Sequence, residues 1–464
     1  MSRKRTAGNE LYACYNTDEI RDVLMLGKGG TLRHITRFVL CFLITAAVLL
    51  GFLVLTSLVP RQVIRPQMLR SAEFLCEGKL FGDVLPGVTS SRIDRYADSI
   101  LLGIAWQFDS QHPLLSVMKS SYYTLFYQNE NRNLLDAVQE DRPANQQYLR
   151  YWHGSAGVVR LLMVFLTLPQ IYTLHAVIFS LLLLLLVFRL LRQGNLAGAA
   201  AFLAGMIGIS LWFVPLSLEY TWVFLILLIQ MNLVLLPSFP KDWSRRCLFF
   251  LISGMLTNYL DFLTCETVTL TVPLLFMIRQ DHRTGRKSAA WRSLPAVALS
   301  WLIGYAGMYL LKWGLAAVVM GENVLPYVTD HVGERVAGSV GLGFFRERLE
   351  ILLRNIGCLF PWNYGLAGKL ISGLLVAAAV YFIYSCRRHF DPGLSAQYAL
   401  IALIPFLRYL VMANHSYLHY FFTYRAQCAA LIAVVLIIQS AVGSRQSAAG
   451  SRQQIVISCR LPVK

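Results

Sequence analysis

The sequence predicts an all-α membrane protein: a polytopic bundle of about ten transmembrane helices, with both chain ends in the cytoplasm and a large, partly helical first loop outside. Two observations of composition lead to this fold class. Apolar residues make up 56% of the 464 residues and charged residues only 14%, whereas soluble domains carry roughly 45–50% and about 25%. The mean hydropathy is +0.53. A soluble fold could not shield this apolar surface from water, but a bilayer replaces water around most of it.

The first apolar run, residues 38–59, is long enough to cross a hydrocarbon core of about 30 Å. Arg61 and Arg65 follow it, and no cleavage site of small residues does. We therefore interpret this run as a first transmembrane helix that stays in the protein. It follows a cytoplasmic amino-terminal segment, residues 1–37.

Nine further apolar runs predict a multi-helix transmembrane domain over residues 155–440, followed by a polar cytoplasmic tail, residues 441–464. The runs are about 171–191, 196–216, 220–236, 247–260, 268–278, 294–319, 370–386, 395–413 and 428–440. Several are shorter than the roughly 20 residues of a full span, so the count of ten is approximate.

The orientation follows from the basic residues, because short cytoplasmic loops carry an excess of Lys and Arg. Basic residues fill the amino-terminal segment, the tail and alternate links, which are residues 189–192, 241–246, 279–292 and 387–388. The opposite short links, 217–219 and 261–267, contain none. The formal net charge of +17 is therefore concentrated on the predicted cytoplasmic side, as in other membrane proteins. It forms no long basic face with interleaved aromatics, so we expect membrane lipids and no nucleic acid as partners.

Two long stretches fall outside the cytoplasmic membrane in this topology. Residues 60–154 are neutral overall, moderately apolar and contain short helical patterns such as 93–104 and 113–127. They are too structured for a disordered linker and predict a partly folded extracytoplasmic loop domain. Residues 321–365 form a second outer loop. It contains an amphipathic piece, residues 344–359, which we expect on the membrane surface.

Ionisable residues within apolar runs are candidates for a functional site, because a charge in hydrocarbon is costly unless it is paired or solvated. In the predicted topology such residues all lie toward the outer side: Arg160, Glu219, Asp261, Glu266, Lys312, Lys369, Arg408, His415, His419 and Arg425. Lys312 and Arg408 either pair with Asp261 or Glu266 or contact a ligand. As a set, they predict a net-positive outer cavity that holds an anionic headgroup through arginine. This hypothesis requires Lys312, Arg408 and Asp261 to lie together.

Three outer clusters have residue types that can perform chemistry. Asp94 and Asp98 are four residues apart, so a helix places them on one face. There they bind a divalent cation, supply a general base, or form a solvated face. Arg150, Trp152 and His153 precede Arg160 and indicate either contact with a sugar or phosphate, or an interfacial aromatic belt. His415 and His419 have the spacing of zinc ligands, but no acidic residue completes that motif, so we predict no metal site there.

The clusters DRYADS (94–99), RYWHG (150–154), NYLDFLT (258–264) and HSYLHYFFTYR (415–425), with the overall layout, resemble those of uncharacterised bacterial polytopic proteins similar to GT-C-type glycosyltransferases. That resemblance implies a donor in which a polyprenyl phosphate carries the sugar. It also implies an acidic catalytic residue, Asp94 or Asp98, in the large first outer loop, acting as general base or contacting a metal.

The leading hypothesis is a glycosyltransferase that transfers a sugar to an envelope acceptor outside the cytoplasmic membrane. The residues expected to bind the lipid-phosphate donor are Arg150, Trp152, His153, Arg160, Asp261, Lys312, Arg408, His415, His419 and Arg425. The alternatives are a transporter or lipid flippase, and a non-catalytic component of an envelope-assembly complex. A transporter favours charges at the bilayer midplane and internal repeats, which the sequence lacks.

Overall fold

The computed structural model of the chain describes residues 28–337 and 343–442, and over them the protein is helical apart from one small hairpin. Most of residues 1–37 and of the tail, with their predicted cytoplasmic location, lie outside this described part. The helices are α1 Lys28–Ser57, α2 Arg61–Cys76, α3 Arg95–Gln107, α4 Pro113–Lys119, α5 Glu130–Gln139, α6 Gly154–Leu162, α7 Leu168–Arg192, α8 Leu196–Gly208, α9 Leu218–Val234, α10 Trp243–Leu260, α11 Val268–Arg283, α12 Lys287–Met320, α13 Leu325–Ala337, α14 Phe344–Ile356, α15 Gly365–Cys386, α16 Pro392–Val411, α17 Ala413–Leu418 and α18 Tyr420–Val442. Strands β1 Phe81–Asp83 and β2 Arg92–Asp94 pair antiparallel.

Six of these helices are long and apolar enough to cross a membrane, so the protein is membrane-embedded. They are Leu32–Ser57 within α1, α7, Ser293–Met320 within α12, α15, α16 and α18. Helices α8 and α9 are apolar but shorter. All ten predicted apolar runs coincide with helical segments, although the third continues beyond α8 into a 3-10 turn, Leu211–Leu216.

Helices α10 and α12 pack most closely, because glycines face each other at their crossing. A Cβ atom added to Gly254 would overlap the carbonyl oxygen of Trp301, and one added to Gly304 would overlap that of Leu251. Small residues allow helix backbones to approach in this way, which favours packing where lipid supplies no hydrophobic force.

The first loop domain is folded and shares one hydrophobic core with the adjacent ends of the membrane helices. Trp106 and Leu101 of α3 and Val138 of α5 are buried, and they pack in one cluster with Leu53 of α1. Local signals define the helices: Asn129 caps α5 through its side chain, and Pro113 starts α4. The predicted helical stretch 113–127 ends early, because Ser120 takes a left-handed conformation. This domain sits on one end of the membrane helices.

The second loop carries α13 and α14. On α14 the side chains of Phe345, Leu349 and Leu353 are exposed and recur at intervals of four residues, so they share one face of the helix. An exposed apolar face beside membrane helices fits the expected position at the membrane surface. Helix α13 packs on α17 and brings the second loop to the loop domain.

Candidate active site

A cavity of about 700 Å³ lies between the loop domain and the adjacent ends of the membrane helices. Its walls come from the start of α3, the segments on either side of α5, the first turn of α9, the α10–α11 link, α13 and α17. The polar and charged lining includes Asp94, Glu130, Arg150, His153, Glu219, His331, Glu334, Arg335, His415 and His419. This volume is typical of sites for small ligands. Five of the residues predicted from sequence line it: Asp94, Arg150, His153, His415 and His419.

Asp94 ends strand β2 and caps helix α3. Its Oδ1 atom accepts a hydrogen bond from the backbone NH of Ala97 at 2.8 Å, and strand pairing with Phe81 fixes the backbone before it. Only 3% of the residue is exposed, and burial raises the pKa of this carboxyl to about 6. A carboxylate with a raised pKa, held rigidly in a cavity, suits a general base.

Glu219 in the first turn of α9 lines the cavity beside Asp94, and the two carboxyl groups interact directly. Glu219 is 8% exposed, and its Oε2 atom has no donor among the described residues. The sequence noted Glu219 only as one charge at an outer link. Its position just before an apolar run was the one available signal, and it does not indicate Asp94 as partner.

Asp98 does not line the cavity, although it follows Asp94 by one turn. Its Oδ1 atom accepts hydrogen bonds from the Ser217 hydroxyl at 3.0 Å and from the NH groups of Leu218 and Glu219 at 2.9 and 3.3 Å. Its Oδ2 atom accepts a short hydrogen bond from the Tyr172 hydroxyl. Burial raises the pKa of Asp98 to about 7, and these donors act in the opposite direction. The structure therefore makes Asp98 an anchor between α3 and α9.

Arg150 and Arg335 supply the positive charge of the cavity. The Arg150 guanidinium lies 4.7 Å from the centre of the Tyr148 ring and 5.8 Å from that of Tyr151, and it donates to no acceptor among the described residues. Arg335 Nη1 donates to His419 Nε2 at 3.4 Å, while its Nε atom has no acceptor in the described part of the chain. Two guanidinium groups with unused donors facing a cavity can bind a phosphate bidentately.

Three of the four histidines that line the cavity, His153, His415 and His419, are neutral near pH 7. Burial lowers the pKa of His153 and His415 well below the ordinary histidine value, and that of His419 to about 4. His153 and His419 each keep a buried Nδ1 atom without a partner among the described residues. They therefore offer hydrogen bonds to a ligand without adding charge.

Aromatic rings form the floor and one side of the cavity. Phe262 lies 5.8 Å from Tyr151 and 5.2 Å from His153, between ring centres. Near the acidic pair, Phe81 stacks on Tyr96 at 5.9 Å. At the mouth, Phe126 is 97% exposed. Flat aromatic faces beside hydrogen-bonding groups suit a sugar ring, which has both apolar and hydroxyl surfaces.

Three predicted donor-binding residues instead hold the loop domain on the helices. The Arg160 guanidinium donates to the carbonyl oxygens of Val59, Ala105 and Phe108. Lys312 Nζ donates to the carbonyl oxygens of Val117 and Met118, both at 2.9 Å. Trp152 Nε1 donates to the Met308 carbonyl at 2.8 Å. None of the three lines the cavity.

The remaining predicted residues lie behind the cavity wall. Arg408 pairs with Glu266, at 3.0 Å from Nε to Oε1. Asp261 accepts hydrogen bonds from the hydroxyl and NH groups of Thr264, and burial raises its pKa to about 7. Arg425 Nη2 donates to the Ser90 carbonyl at 3.2 Å. Arg408 and Asp261 are near each other, but Lys312 binds elsewhere, so the expected cluster of Lys312, Arg408 and Asp261 does not form.

Over the described residues, no group of three or more His, Cys, Asp or Glu side chains is arranged to hold a metal ion. Ca²⁺ takes six to eight oxygen ligands, whereas Mg²⁺ keeps several waters and is commonly held by one or two protein carboxylates together with substrate phosphates. The pair of Asp94 and Glu219 is therefore too small for a Ca²⁺ site.

Comparisons of the chain with protein-family models, with curated proteins and with solved structures gave no match. The functional conclusion therefore depends on the cavity itself.

Proposed function

We propose that the chain is a membrane glycosyltransferase that moves a sugar from a polyprenyl-phosphate donor to an envelope acceptor. One observation carries the proposal: a single cavity places a carboxylate of raised pKa, Asp94, and two arginines with unused donors, Arg150 and Arg335, around aromatic walls. These are the groups that transfer from a phosphate leaving group requires.

The proposed topology has about ten membrane crossings, both chain ends in the cytoplasm, and the cavity on the outer side of the cytoplasmic membrane. The carboxyl end of α10 and the amino end of α9 meet at the cavity. The basic residues of the predicted cytoplasmic links lie at the opposite ends of these helices. There Arg246 pairs with Asp281 at 2.6 Å. The positive-inside rule supports this orientation.

In the proposed reaction, Asp94 accepts the proton of the acceptor hydroxyl while that oxygen forms a bond to the anomeric carbon of the sugar. The bond between the anomeric carbon and the phosphate oxygen breaks, and its electron pair leaves with the polyprenyl phosphate. Arg150 and Arg335 stabilise the added negative charge on the phosphate, where fixed donors have their largest effect. The polyprenyl chain extends from the cavity into lipid.

The test is a transfer assay with the full chain in lipid nanodiscs, a panel of radiolabelled polyprenyl-phosphate hexoses and pentoses, and envelope glycolipids as acceptors. The wild type should transfer label from at least one donor. Asp94→Asn should reduce transfer by about 10²–10⁴-fold, the range for loss of a general base, without lowering the melting temperature. Glu322→Gln, an exposed change, is the matched control and should keep full activity.

Two outcomes would contradict the proposal. Full activity of Asp94→Asn at normal expression would show that Asp94 is not the general base. If labelled lipid instead crosses the bilayer of a proteoliposome without cleavage of its phosphate–sugar bond, the cavity belongs to a transporter or flippase.

A further inference from the structure

The contact between Asp94 and Glu219 has a chemical requirement. Their carboxyl groups lie close enough to interact directly, and a carboxylate oxygen can only accept a hydrogen bond. One of the two groups must therefore carry a proton, since two ionised carboxylates at this distance in a buried site repel strongly. Both residues are more than nine-tenths buried and both line the cavity.

The fold keeps the two carboxyl groups together through Asp98. The side chain of Asp98 binds the NH groups of Leu218 and Glu219, which are the first two residues of α9. Asp94 caps the same helix, α3, that carries Asp98. The relative position of the pair is thus set by one buried anchor, and α3 cannot shift along α9 without breaking these hydrogen bonds. The Oε2 atom of Glu219 is buried and has no hydrogen-bond donor among the described residues.

We propose that Asp94 and Glu219 share a single proton in the resting state, with Glu219 as the protonated member and Asp94 as the ionised base. This inference rests on the proposed function and names the partner of its base. Glu219 acts through Asp94 and is a positioning residue. Its O–H group donates a hydrogen bond to one Asp94 oxygen and leaves the other oxygen for the acceptor hydroxyl. Asp94 is favoured as the ionised member because it also accepts the NH of Ala97.

The proton balance of one turnover follows from this arrangement. The acceptor proton passes to Asp94 as the new glycosidic bond forms and the bond to phosphate breaks. The pair then holds two protons, and one of them returns to water in the cavity. Interacting carboxyls titrate in two steps that belong to the pair, and only the form with a single proton is active.

Other titratable and charged groups surround the pair from each neighbouring element. They are Tyr96 and Asp98 of α3, Tyr151 before α6, Tyr172 of α7, Tyr220 of α9, Asp261 after α10 and Arg425 of α18. Burial raises the pKa of Tyr96 to about 12. Burial also raises the pKa of Tyr151 above the ordinary tyrosine value. Among the groups outside the spans, Asp98 and Asp261, both raised to about 7, are the ones that could imitate a titration of the pair.

The first test is the pH dependence of kcat/KM for transfer, measured in nanodiscs with the donor that the wild type uses. The wild type should give a bell-shaped profile with one limb for each proton of the pair. Glu219→Gln should lose the alkaline limb and keep the acid limb, because its amide donates to Asp94 at every pH. Glu219→Asp should keep both limbs. Asp261→Asn should also keep both, which excludes that residue as the source of the alkaline limb.

Either of two results would overturn the inference. The first is an unchanged bell for Glu219→Gln. The second is loss of its activity at every pH with an unchanged melting temperature, because the amide should replace the protonated carboxyl.

A second measurement needs no activity and separates this inference from the proposed function. Infrared difference spectra at neutral pH should show the C=O band of a protonated carboxylic acid in the wild type and in the control Glu322→Gln, with lower intensity in Glu219→Gln. If the band behaves so but no donor is used, the shared proton stands and the glycosyltransferase proposal fails. If Glu219→Gln leaves the band intact while transfer occurs, the shared proton is wrong. Stabilisation by Mg²⁺ that Glu219→Gln abolishes would also overturn it, in favour of a bound cation.

Discussion

The cationic side chains at the end of the membrane helices divide into two regions with opposite chemistry. Behind the cavity, Lys312 and Arg408 donate to acceptors of the protein itself. In the cavity wall, Arg150 makes only ring contacts and Arg335 leaves its Nε atom without a partner among the described residues. The first group stabilises the fold, since an unpaired charge in an apolar interior is costly. The second keeps donors available.

This difference teaches that burial alone does not identify a ligand site in a membrane protein. A charge deep in an apolar run signals that some partner must exist, and that partner is often a carbonyl oxygen or a carboxylate of the same chain. Unused hydrogen-bonding capacity that faces a cavity is the more discriminating observation. The comparison makes distinct predictions for the two regions.

The largest expected effect separates the regions by a matched pair of substitutions. Arg408→Met removes one partner of a buried ion pair and should lower the free energy of unfolding by about 3–5 kcal/mol. Arg150→Met should lower it by no more than about 1 kcal/mol, the size of an exposed cation–π contact. Unfolding in mixed detergent measures both.

Binding should show the reverse order. Arg150→Met should weaken the affinity for a long-chain polyprenyl phosphate by about 10–100-fold, because hydrogen bonds to charged groups contribute about 1.5–3 kcal/mol. Folded Arg408→Met should bind this lipid nearly as the wild type does. If Arg150→Met proves the more destabilising variant and binds normally, the division into two regions is wrong.

Asp98 is the anchor between α3 and α9, and its substitution should have the next largest effect. Asp98→Ala leaves two buried NH groups and two hydroxyls without their acceptor, so the free energy of unfolding should fall by about 2–4 kcal/mol. Asp98→Asn keeps an oxygen that can accept from α9, and it should restore most of the loss. Equal melting temperatures of wild type and Asp98→Ala would mean that α3 and α9 are held together by other contacts.

Stability should also fall as the pH rises, because burial raises the pKa values of Asp94 and Asp98 to about 6 and 7. A carboxyl of raised pKa retains its proton in the folded state while the unfolded chain, with a pKa near 3.9, releases it. Its stabilising contribution is complete below about pH 4 and is lost as the pH rises through the folded value. The slope is at most about 1.4 kcal/mol per pH unit for each group. Asp98→Asn should therefore melt with a shallower pH dependence between pH 4 and 7, and an unchanged slope would contradict the raised pKa.

The sequence predicted the helices much better than it predicted the site. Long apolar runs are a local signal, so the bounds of α7, α10 and α15 were predicted within a few residues. The cavity depends on contacts between distant parts of the chain. Asp94, Arg150, His153, His415 and His419 were identified because their clusters are unusual in composition. Arg335 was not identified, and Glu219 was noted only as one of the outer charges, because nothing local links either residue to those clusters.

The wrong assignments of individual residues have a physical reason as well. Asp94 and Asp98 have helical spacing, but Asp94 lies before the first turn of α3, so the two side chains point to different surroundings. Arg160 and Lys312 were expected at the donor because they are costly to bury. Their acceptors are backbone carbonyl oxygens, which every residue carries and which no sequence pattern marks.

The smallest expected effect lies at the cavity mouth, where two neighbouring aromatic residues provide an internal control. Phe126 lines the cavity and is 97% exposed, while Tyr127 is 84% exposed and lies outside the lining. Neither substitution to Ala should change the free energy of unfolding by more than about 0.5 kcal/mol. Phe126→Ala should raise the KM for the sugar donor or acceptor by about 2–10-fold, since an aromatic contact contributes about 0.5–1.5 kcal/mol, and Tyr127→Ala should leave it unchanged. Equal effects of the two variants would show that the mouth contacts the membrane rather than a substrate, because lipid would meet both rings alike.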